Sequence, residues 1–434
     1  MEKSLPKGWV ETELGDVLDI EMGQSPPSYS YNIEGIGTPF MQGKTEFGKT
    51  FPTIIKYTTE PKKIVEKGTV LLSVRAPIGP TNIANTQMCI GRGLAGLSSN
   101  KLPTNFILYY LRSIESVLDG LGTGTTFKAI SGNKIYTVHF PLPPLPEQER
   151  IVAKLDKLFA QHEKIKKALD RIPQLLKAFR QQVLTQAVTG RLTEQWREGK
   201  DLEEWDKRLV KEISTKLGSG STPRGGSAKY LSEGIPLVRS MNVVFGGLKL
   251  DGLAFISEAQ AAALKNVEIH FEDILLNITG ASIGRLCLAD KSVTGGRVNQ
   301  HVFIIRADKE IVYPKFLESY LRSNLVQSFI EAVKYGAGME AISKTQIENL
   351  KINIPMLQEQ QEIVRRVESL FAKADAIVER YQMLKAKIDS LPQAILHKAF
   401  KGELVPQLPT DGDAKDLLAE IMALKEEVKG RKRK

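Results

Sequence analysis

The segment 143–192 recurs as 355–404 at a constant offset of 212 residues, with no insertion or deletion. Counted from Leu142 and Ile354, fifteen of the 51 aligned positions are identical. Both copies place core-compatible residues at alternating spacings of four and three. In the first they are Ile151, Leu155, Leu158, His162, Ile165, Leu169 and Ile172. In the second they are Ile363, Val367, Leu370, Ala374, Ile377, Tyr381, Leu384, Ile388 and Leu391. This is the a/d seam of a coiled coil, in the same register twice. A chain so constrained is expected to fold as two tandem halves with two long helices paired antiparallel. The alternative is that each helix caps its own domain as an ordinary core helix; the sustained heptads favour the pair.

Proline marks where the helices begin and end. PLPPLPEQ precedes the first and IPMLQEQ the second, and proline suits the approach to a first turn but not a helix interior. Pro173 is expected to break or kink the first helix, whereas the second stays clear of proline until Pro392. The span 147–171 would measure about 37 Å, close to the roughly 34 Å of one turn of B-DNA.

The flanking segments read as mixed and strand-rich, with short apolar runs punctuated by Gly and Pro. Matching landmarks recur in order: Trp9 and Trp205, GTPFMQ and GIPLVR, VLLSVRAPIG and ILLNITGASIG, Gly91-Arg92 and Gly296-Arg297, FILYYLRS and FLESYLRS, and Ala-Ile-Ser at 129–131 and 341–343. Their offset drifts from 196 to 212, so a shared frame carries loops of different length. The expected class is α+β: two strand-rich domains, 1–142 and 193–354, separated by helical regions at 143–192 and 355–434. Together they form a pseudo-twofold tandem repeat. Residues 411–434 read as a short amphipathic helix (Leu417, Leu418, Ile421, Leu424, Val428) ending in a solvated RKRK tail.

The chain has 434 residues, a net charge of +10 and a pI of about 9.2. This balance favours a polyanionic partner, but it is spread as +2, +5, +1 and +2 over the four regions in chain order and so locates no site. Two cysteines, Cys89 and Cys287, exclude a disulfide framework, and a reducing cytoplasm is the simplest setting. No run of about 18 apolar residues indicates a membrane helix, and the first ten residues lack the apolar stretch of a signal peptide.

Catalytic motifs fail on inspection. GKTEFGKT (43–50) fits the spacing of a phosphate-binding loop, but Phe51-Pro52 and a strand-like TIIKYT follow, not the helix such a loop requires. Hydrolysis lost in Lys49→Ala would support an NTPase. Ser25-Pro26-Pro27-Ser28 lacks the final aromatic ring that adenine methyltransferases stack on a flipped base. GLGTG (120–124) lies just before the heptads, not after a first strand. The five histidines (139, 162, 270, 301 and 397) have no metal-binding spacing. Cys287, in the apolar run RLCLA, reads as core.

Binding chemistry remains. Arg and Lys grip phosphate or read guanine, and Asn and Gln read adenine. Candidates in glycine-punctuated loops are Lys44, Lys49, Arg75, Arg92 and Lys128 in the first half. In the second they are Arg239, Asn242, Arg285, Arg297, Asn299 and Gln300.

The two tryptophans, PLPPLPEQERIVAKLDKLF, IPMLQEQQEIVRRVESLF, TGRLTEQWR (189–197) and FKGEL (400–404) together resemble the specificity subunit of type I restriction–modification systems, over nearly the whole chain. The resemblance implies a non-catalytic DNA-recognition subunit whose two target recognition domains each read half of a bipartite, gapped site in double-stranded DNA. It implies that the helices set the gap and dock two methyltransferase subunits, and that two restriction subunits join the full complex. It places no cofactor in this chain; S-adenosylmethionine, ATP and magnesium belong to the partners. The residues it assigns to helix entry, pairing and docking are Glu147, Gln148, Ile151, Leu158 and Phe159, and Glu359, Gln360, Ile363, Leu370 and Phe371; the heptads add Leu155, Ile165, Val367 and Ile377 to the same seam. A purely structural coiled-coil adaptor is the competing reading, and it predicts no salt-dependent DNA affinity.

Overall fold

The computed structural model describes residues 5–124, 128–223, 230–336 and 341–432. The chain divides into two compact units: Met1–Leu169 with Met383–Lys434, and Asp170–Gln382. The helices that organise them are α1 (Thr104–Ser113), α2 (Leu145–Leu169), α3 (Ile172–Val188), α4 (Pro314–Arg322), α5 (Leu357–Phe400) and α6 (Ala414–Lys432). On the predicted C-terminal stripe, Val428 falls among residues whose side chains are not described. The last two residues of the basic tail lie outside the described residues.

The strands of the first unit are β1 (Val10–Glu13), β2 (Asp19–Met22), β3 (Tyr31–Asn32), β4 (Thr38–Met41), β5 (Lys56–Thr58), β6 (Ile64–Val65), β7 (Val70–Ser73), β8 (Thr81–Ile83), β9 (Met88–Ile90), β10 (Leu94–Ser98) and β11 (His139–Leu142). Strands β1 and β11 pair antiparallel and deliver the chain to α2. One sheet has the order β2-β10-β7-β8, the other β3-β5-β4-β9-β6. In the second sheet β4 and β9 run parallel.

The strands of the second unit are β12 (Asp206–Leu209), β13 (Ser214–Ser219), β14 (Ile235–Val238), β15 (Val243–Val244), β16 (Gly247–Leu248), β17 (Ala254–Ile256), β18 (Ile274–Asn277), β19 (Leu286–Leu288), β20 (Arg297–Val298), β21 (Val302–Ala307) and β22 (Lys351–Ile354). The pair β12–β22, the sheet β13-β21-β18-β19 and the sheet β17-β14-β20 repeat the first unit's arrangement, with β14 and β20 again parallel. The hairpin β15–β16 has no counterpart among the described residues of the first unit.

The central strand of each unit explains its uniform apolar run. Side chains alternate across a strand, and here both faces are covered. Val70 and Leu72 join the core under the helices while Leu71 joins the core against the second sheet. Ile274 and Leu276 part from Leu275 in the same way. Cys287 is fully buried in that second core, where burial pushes its thiol up to about 12.

Within the first unit, α2 runs antiparallel to the last part of α5: Ile151 and Leu155 share a core with Leu396 and Ala399, and Lys166 Nζ lies 3.8 Å from Asp389. Within the second, α3 runs antiparallel to the first part of α5: Arg180 pairs with Asp375 at 2.6 Å, and Arg366 donates to the Leu192 carbonyl at 3.0 Å. As its sequence predicts, Pro173 sits in the first turn of α3, after α2 has ended. The other proline behaves differently, because α5 continues through Pro392. Proline has no N–H for the carbonyl of Ile388 one turn back. His162 Nε2, 2.8 Å from that oxygen, supplies the missing donor. The histidine in the predicted seam therefore repairs the gap that a proline opens in the neighbouring helix.

Candidate nucleic-acid interface

Each heptad helix begins with a buried Glu-Gln pair. Gln148 Nε2 donates to the Pro143 carbonyl and Gln360 Nε2 to the Pro355 carbonyl, both at 2.8 Å. Each glutamine thus caps the proline-rich turn from which its own helix springs. Glu147 Oε2 accepts the Trp9 indole N–H at 2.9 Å, and Glu359 Oε2 accepts that of Trp205 at 3.2 Å. The six-membered ring of each tryptophan faces a glycine that ends the opposite helix. Gly402 (φ +71°), after α5, faces Trp9, and Gly190 (φ +77°), after α3, faces Trp205. A side chain at Gly190 would meet the indole at 3.4 Å, and one at Gly402 would overlap Pro6 at 2.4 Å. Positive φ favours glycine at both positions, and at Gly402 the overlap with Pro6 excludes a side chain as well. Glu147, Gln148, Glu359 and Gln360 are at most 1% exposed, so their contacts are internal to the chain.

The remaining predicted seam residues grade outward along each helix. Ile151, Leu155, Ile363 and Val367 are buried, while Leu158, Phe159, Leu370 and Phe371 are half-buried. Ile165 and Ile377 are 46% and 47% exposed. Phe159 packs on Tyr109 of α1, with ring centroids 5.3 Å apart. Phe371 is flanked by the guanidinium carbons of Arg180 and Arg322, at 5.0 and 5.7 Å.

Strand register decides which loop residues are equivalent. Gly91 N–H donates to the Met41 carbonyl and Asn299 N–H to the Val238 carbonyl. Leu94 then pairs with Ser73, and Val302 with Asn277. The residue equivalent to Arg92 is therefore Gln300, and the sequence pairing of Gly91-Arg92 with Gly296-Arg297 is corrected by three residues. Arg297 instead stands opposite Leu237 within β20, where Cys89 stands opposite Phe40 in the first unit. The Ala-Ile-Ser segments at 129–131 and 341–343 do match as read. Arg75 bridges Ala129, and Thr279 bridges Ala341.

The predicted contact residues fall into two groups. Arg297, Asn242 and Asn299 are turned into the fold. Arg297 is 7% exposed, donates to the carbonyls of Ala261, Gly295 and Gly296, and pairs with Glu268 at 3.1 Å. Asn242 bonds the Arg239 N–H and the Lys249 carbonyl, and Asn299 Oδ1 accepts the His301 N–H. Lys44, Lys49, Arg75, Arg92, Arg285 and Gln300 are exposed, and Lys128 and Arg239 are half-buried. Of these, Lys49 pairs with Glu163 at 2.8 Å and Lys128 with Asp119 at 2.7 Å. Arg239 donates to the Gly252 carbonyl at 2.6 Å. Among the described residues, the Arg75, Arg92 and Arg285 guanidiniums engage no protein acceptor.

Two concavities receive this chemistry. In the first unit a cavity of about 740 Å³ lies between Lys44, Lys49 and Arg112 on one side and Phe159, His162 and Glu163 of α2 on the other. Lys44 itself lies in a 3-10 turn, Lys44–Glu46, and the next regular element is strand β5, so no helix follows GKTEFGKT. In the second unit a cavity of about 390 Å³ is lined by Ser240, Met241, Thr279, Ser282, Arg285 and His301. His301 Nδ1 lies 2.5 Å from Thr279 Oγ1 and Nε2 lies 3.1 Å from Gln300 Nε2, while Thr222 Oγ1 donates to Gln300 Oε1. Thr222, Thr279 and His301 are absent from the sequence candidates because no periodicity marks a loop residue that meets its partner only through sheet pairing. Among the described residues, no cluster of His, Cys, Asp and Glu could hold a metal ion, and no helix is long and apolar enough to cross a membrane.

The family model described as "Type I restriction modification DNA specificity domain" matches residues 6–174 and again 202–386. The chain is 32% identical over 428 residues to the EcoBI type I restriction enzyme specificity subunit of Escherichia coli, covering 93% of this chain and 88% of that one. It is 46% identical over 183 residues to the putative MjaX specificity subunit of Methanocaldococcus jannaschii, a match covering 40% of this chain and 43% of that protein. The solved HsdS subunit from Thermoanaerobacter tengcongensis superposes with a TM-score of 0.64 at 19% identity, covering 93% of this chain and 99% of that one. A chain from a study of type I R-M assembly and conformational transition gives 0.67 at 20%, covering 92% and 100%. The repeated frame, the doubled match and the full-length relative make this chain a member of the type I restriction–modification specificity-subunit family, a family of DNA-recognition subunits rather than of enzymes.

Proposed function

We propose that this chain directs a type I restriction–modification assembly to a bipartite, gapped DNA site. Residues 1–142 and 193–354 act as target recognition domains, each reading one half-site. Residues 143–192 and 355–434 form the paired spacer that sets the gap and seats two methyltransferase subunits; two restriction subunits join when DNA is cut. S-adenosylmethionine, ATP and magnesium are held by those partners. The observation that carries the reading is a common frame, a four-stranded sheet of the same order and a parallel strand pair in each unit, around loops whose polar residues differ. That suits one scaffold presenting two reading surfaces. Exposed Lys44, Arg75, Arg92 and Arg285, with half-buried Arg239, supply cations for phosphate and guanine, and Gln300 an amide for adenine. The exposed apolar residues Ile165 and Ile377, at equivalent positions of the two heptad helices, suit the methyltransferase.

The test is methylation sequencing of a methylation-free host carrying this chain with its methyltransferase. One gapped two-part N6-methyladenine motif that depends on this chain is expected. Exchanging 1–142 for the matching segment of a relative should change only one half. Four residues inserted near Lys166 should lengthen the gap or abolish recognition; an unchanged site would overturn the spacer role.

A further inference from the structure

The corrected register places two different side chains at one position of the repeated frame. Residues 91–93 and 299–301 are the three-residue links between β9 and β10 and between β20 and β21, and their central residues are Arg92 and Gln300. Each link is held by a hydroxyl from the chain leaving the first strand of the four-stranded sheet. Met22 pairs with Ala95 and Ser219 with Phe303, so Ser25 and Thr222 both stand three residues past the pairing. Ser25 Oγ accepts the Arg92 backbone N–H at 3.3 Å, and Thr222 Oγ1 donates to the Gln300 side chain.

The position one residue beyond β4 and β14 carries the opposite chemistry, Gln42 in the first unit and Arg239 in the second. These companions are engaged internally. Gln42 Nε2 donates to Ser25 Oγ at 3.1 Å, and Arg239 donates to the Gly252 carbonyl at 2.6 Å. Of the two link residues, Arg92 keeps its whole charged group unengaged and Gln300 is held by its neighbours at one side of the amide. Arg92 is exposed, and among the described residues its guanidinium has no acceptor.

For Gln300 the neighbours fix the amide's orientation. The amide nitrogen has only hydrogens to offer, so His301 Nε2 must accept from it at 3.1 Å. The neutral imidazole then carries its proton on Nδ1, facing Thr279 Oγ1. Thr222 donates to the amide oxygen. One lone pair on Oε1 and one N–H on Nε2 remain, both on an exposed, oriented group. Adenine in the major groove presents one donor and one acceptor, N6–H and N7. Guanine presents two acceptors, O6 and N7, which suit Arg92.

We infer that the link between these strands is the equivalent base-reading position in both halves, with Arg92 reading a guanine in one half-site and Gln300 an adenine in the other. This rests on the specificity role proposed above, and it predicts one G·C and one A·T requirement in opposite halves of the site.

Methylation motifs would be compared for the wild type, Arg92→Ala, Gln300→Ala and Thr222→Val, each co-expressed with the methyltransferase. Gln300→Ala should make one A·T position degenerate in one half, and Arg92→Ala one G·C position in the other. Thr222→Val should weaken discrimination at the Gln300 position without moving it. Where a variant abolishes methylation, the purified complex would be bound to duplexes carrying all four base pairs at each position. The wild type should prefer one pair roughly tenfold to hundredfold, and the variant should lose that preference at one position only. Unchanged motifs, effects in the same half, or degeneracy at other base pairs overturn the assignment. A wild-type complex that forms but yields no motif overturns the specificity role and this assignment with it.

Discussion

The two tryptophan clamps share a plan and differ in how they treat a buried charge. In the second unit Glu359 is fully neutralised: Thr193 Oγ1 donates at 2.7 Å, Arg197 Nη1 at 2.6 Å and Trp205 at 3.2 Å. In the first unit Glu147 has the Trp9 N–H on Oε2 while Oε1 is buried with no hydrogen bond. The offset of 212 explains why, since Val405 and Pro409 stand where Thr193 and Arg197 stand in the other copy. Burial accordingly holds the Glu147 carboxyl above the usual range, against the pull of the Trp9 indole and the Gln407 side chain. The neighbouring cation, Arg150, is committed elsewhere, bidentate to Asp411 at 2.6 and 2.7 Å. One clamp spends its arginine on the glutamate. The other uses it to fasten the C-terminal segment to α2.

The sharpest way to break this comparison is Glu→Gln at both sites. Glu359→Gln strands the Arg197 guanidinium and should cost the second unit about 2–4 kcal/mol, somewhat under the usual loss for a fully buried pair because Arg197 is partly exposed. Glu147→Gln keeps an acceptor for Trp9 and removes a poorly compensated charge, so it should be neutral or stabilising. Hydrogen exchange read segment by segment separates the units. Equal losses would mean that the two glutamates are equivalent. The sign with pH follows. A raised carboxyl favours the protonated folded state, so the Glu147 contribution falls as pH rises from 4.5 through the folded value. Glu147→Gln should flatten that slope.

Next in size is Asp411→Asn, which breaks a near-buried bidentate pair and should cost about 1–3 kcal/mol at pH 7. The Arg150 hydrogen bond holds Asp411 below its ordinary 3.8. Its contribution is therefore complete above that value and is lost as pH falls through the lower folded one. Chemical denaturation of the wild type and variant should converge in acid. A constant gap would show that the pair acts through packing and not through charge.

Trp→Phe tests the same asymmetry from the other side. Trp9→Phe removes the N–H from a glutamate that no arginine pairs with, at about 1–3 kcal/mol. Trp205→Phe leaves Thr193 and Arg197 in place and should cost about 0.5–1 kcal/mol.

What the sequence disclosed and what it hid follow from the same contrast. The heptads, the Glu-Gln helix starts and the break at Pro173 were legible because they depend on local spacing. The substitution of Val405 and Pro409 for Thr193 and Arg197 was also in plain view, but its meaning required the knowledge that the two glutamates are buried. His162 was legible as a polar seam residue; that it answers Pro392 needed the neighbouring helix. Equating Arg92 with Arg297 failed because a shared Gly-Arg dipeptide is weaker information than strand register, and register is fixed by strand partners distant in sequence, such as Met41 for Gly91 and Val238 for Asn299. Recognition loops suffer most from this, since nothing periodic anchors them.

The smallest effect on stability, and the one most specific to assembly, concerns the middle of the helices. Ile151 and Ile363 are fully buried, and replacing either with Ala should cost about 2–5 kcal/mol. Ile165 and Ile377 occupy equivalent seam positions, yet both are nearly half exposed. Their Ala variants should change the stability of the chain by no more than about 0.5 kcal/mol. If these positions seat the methyltransferase, the same variants should weaken co-purification with it and reduce methylation at an unchanged motif. The buried pair should instead lower soluble yield before any effect on partner binding appears. A stable complex with full methylation in the Ile165→Ala, Ile377→Ala double variant would move the docking surface away from the heptad seam.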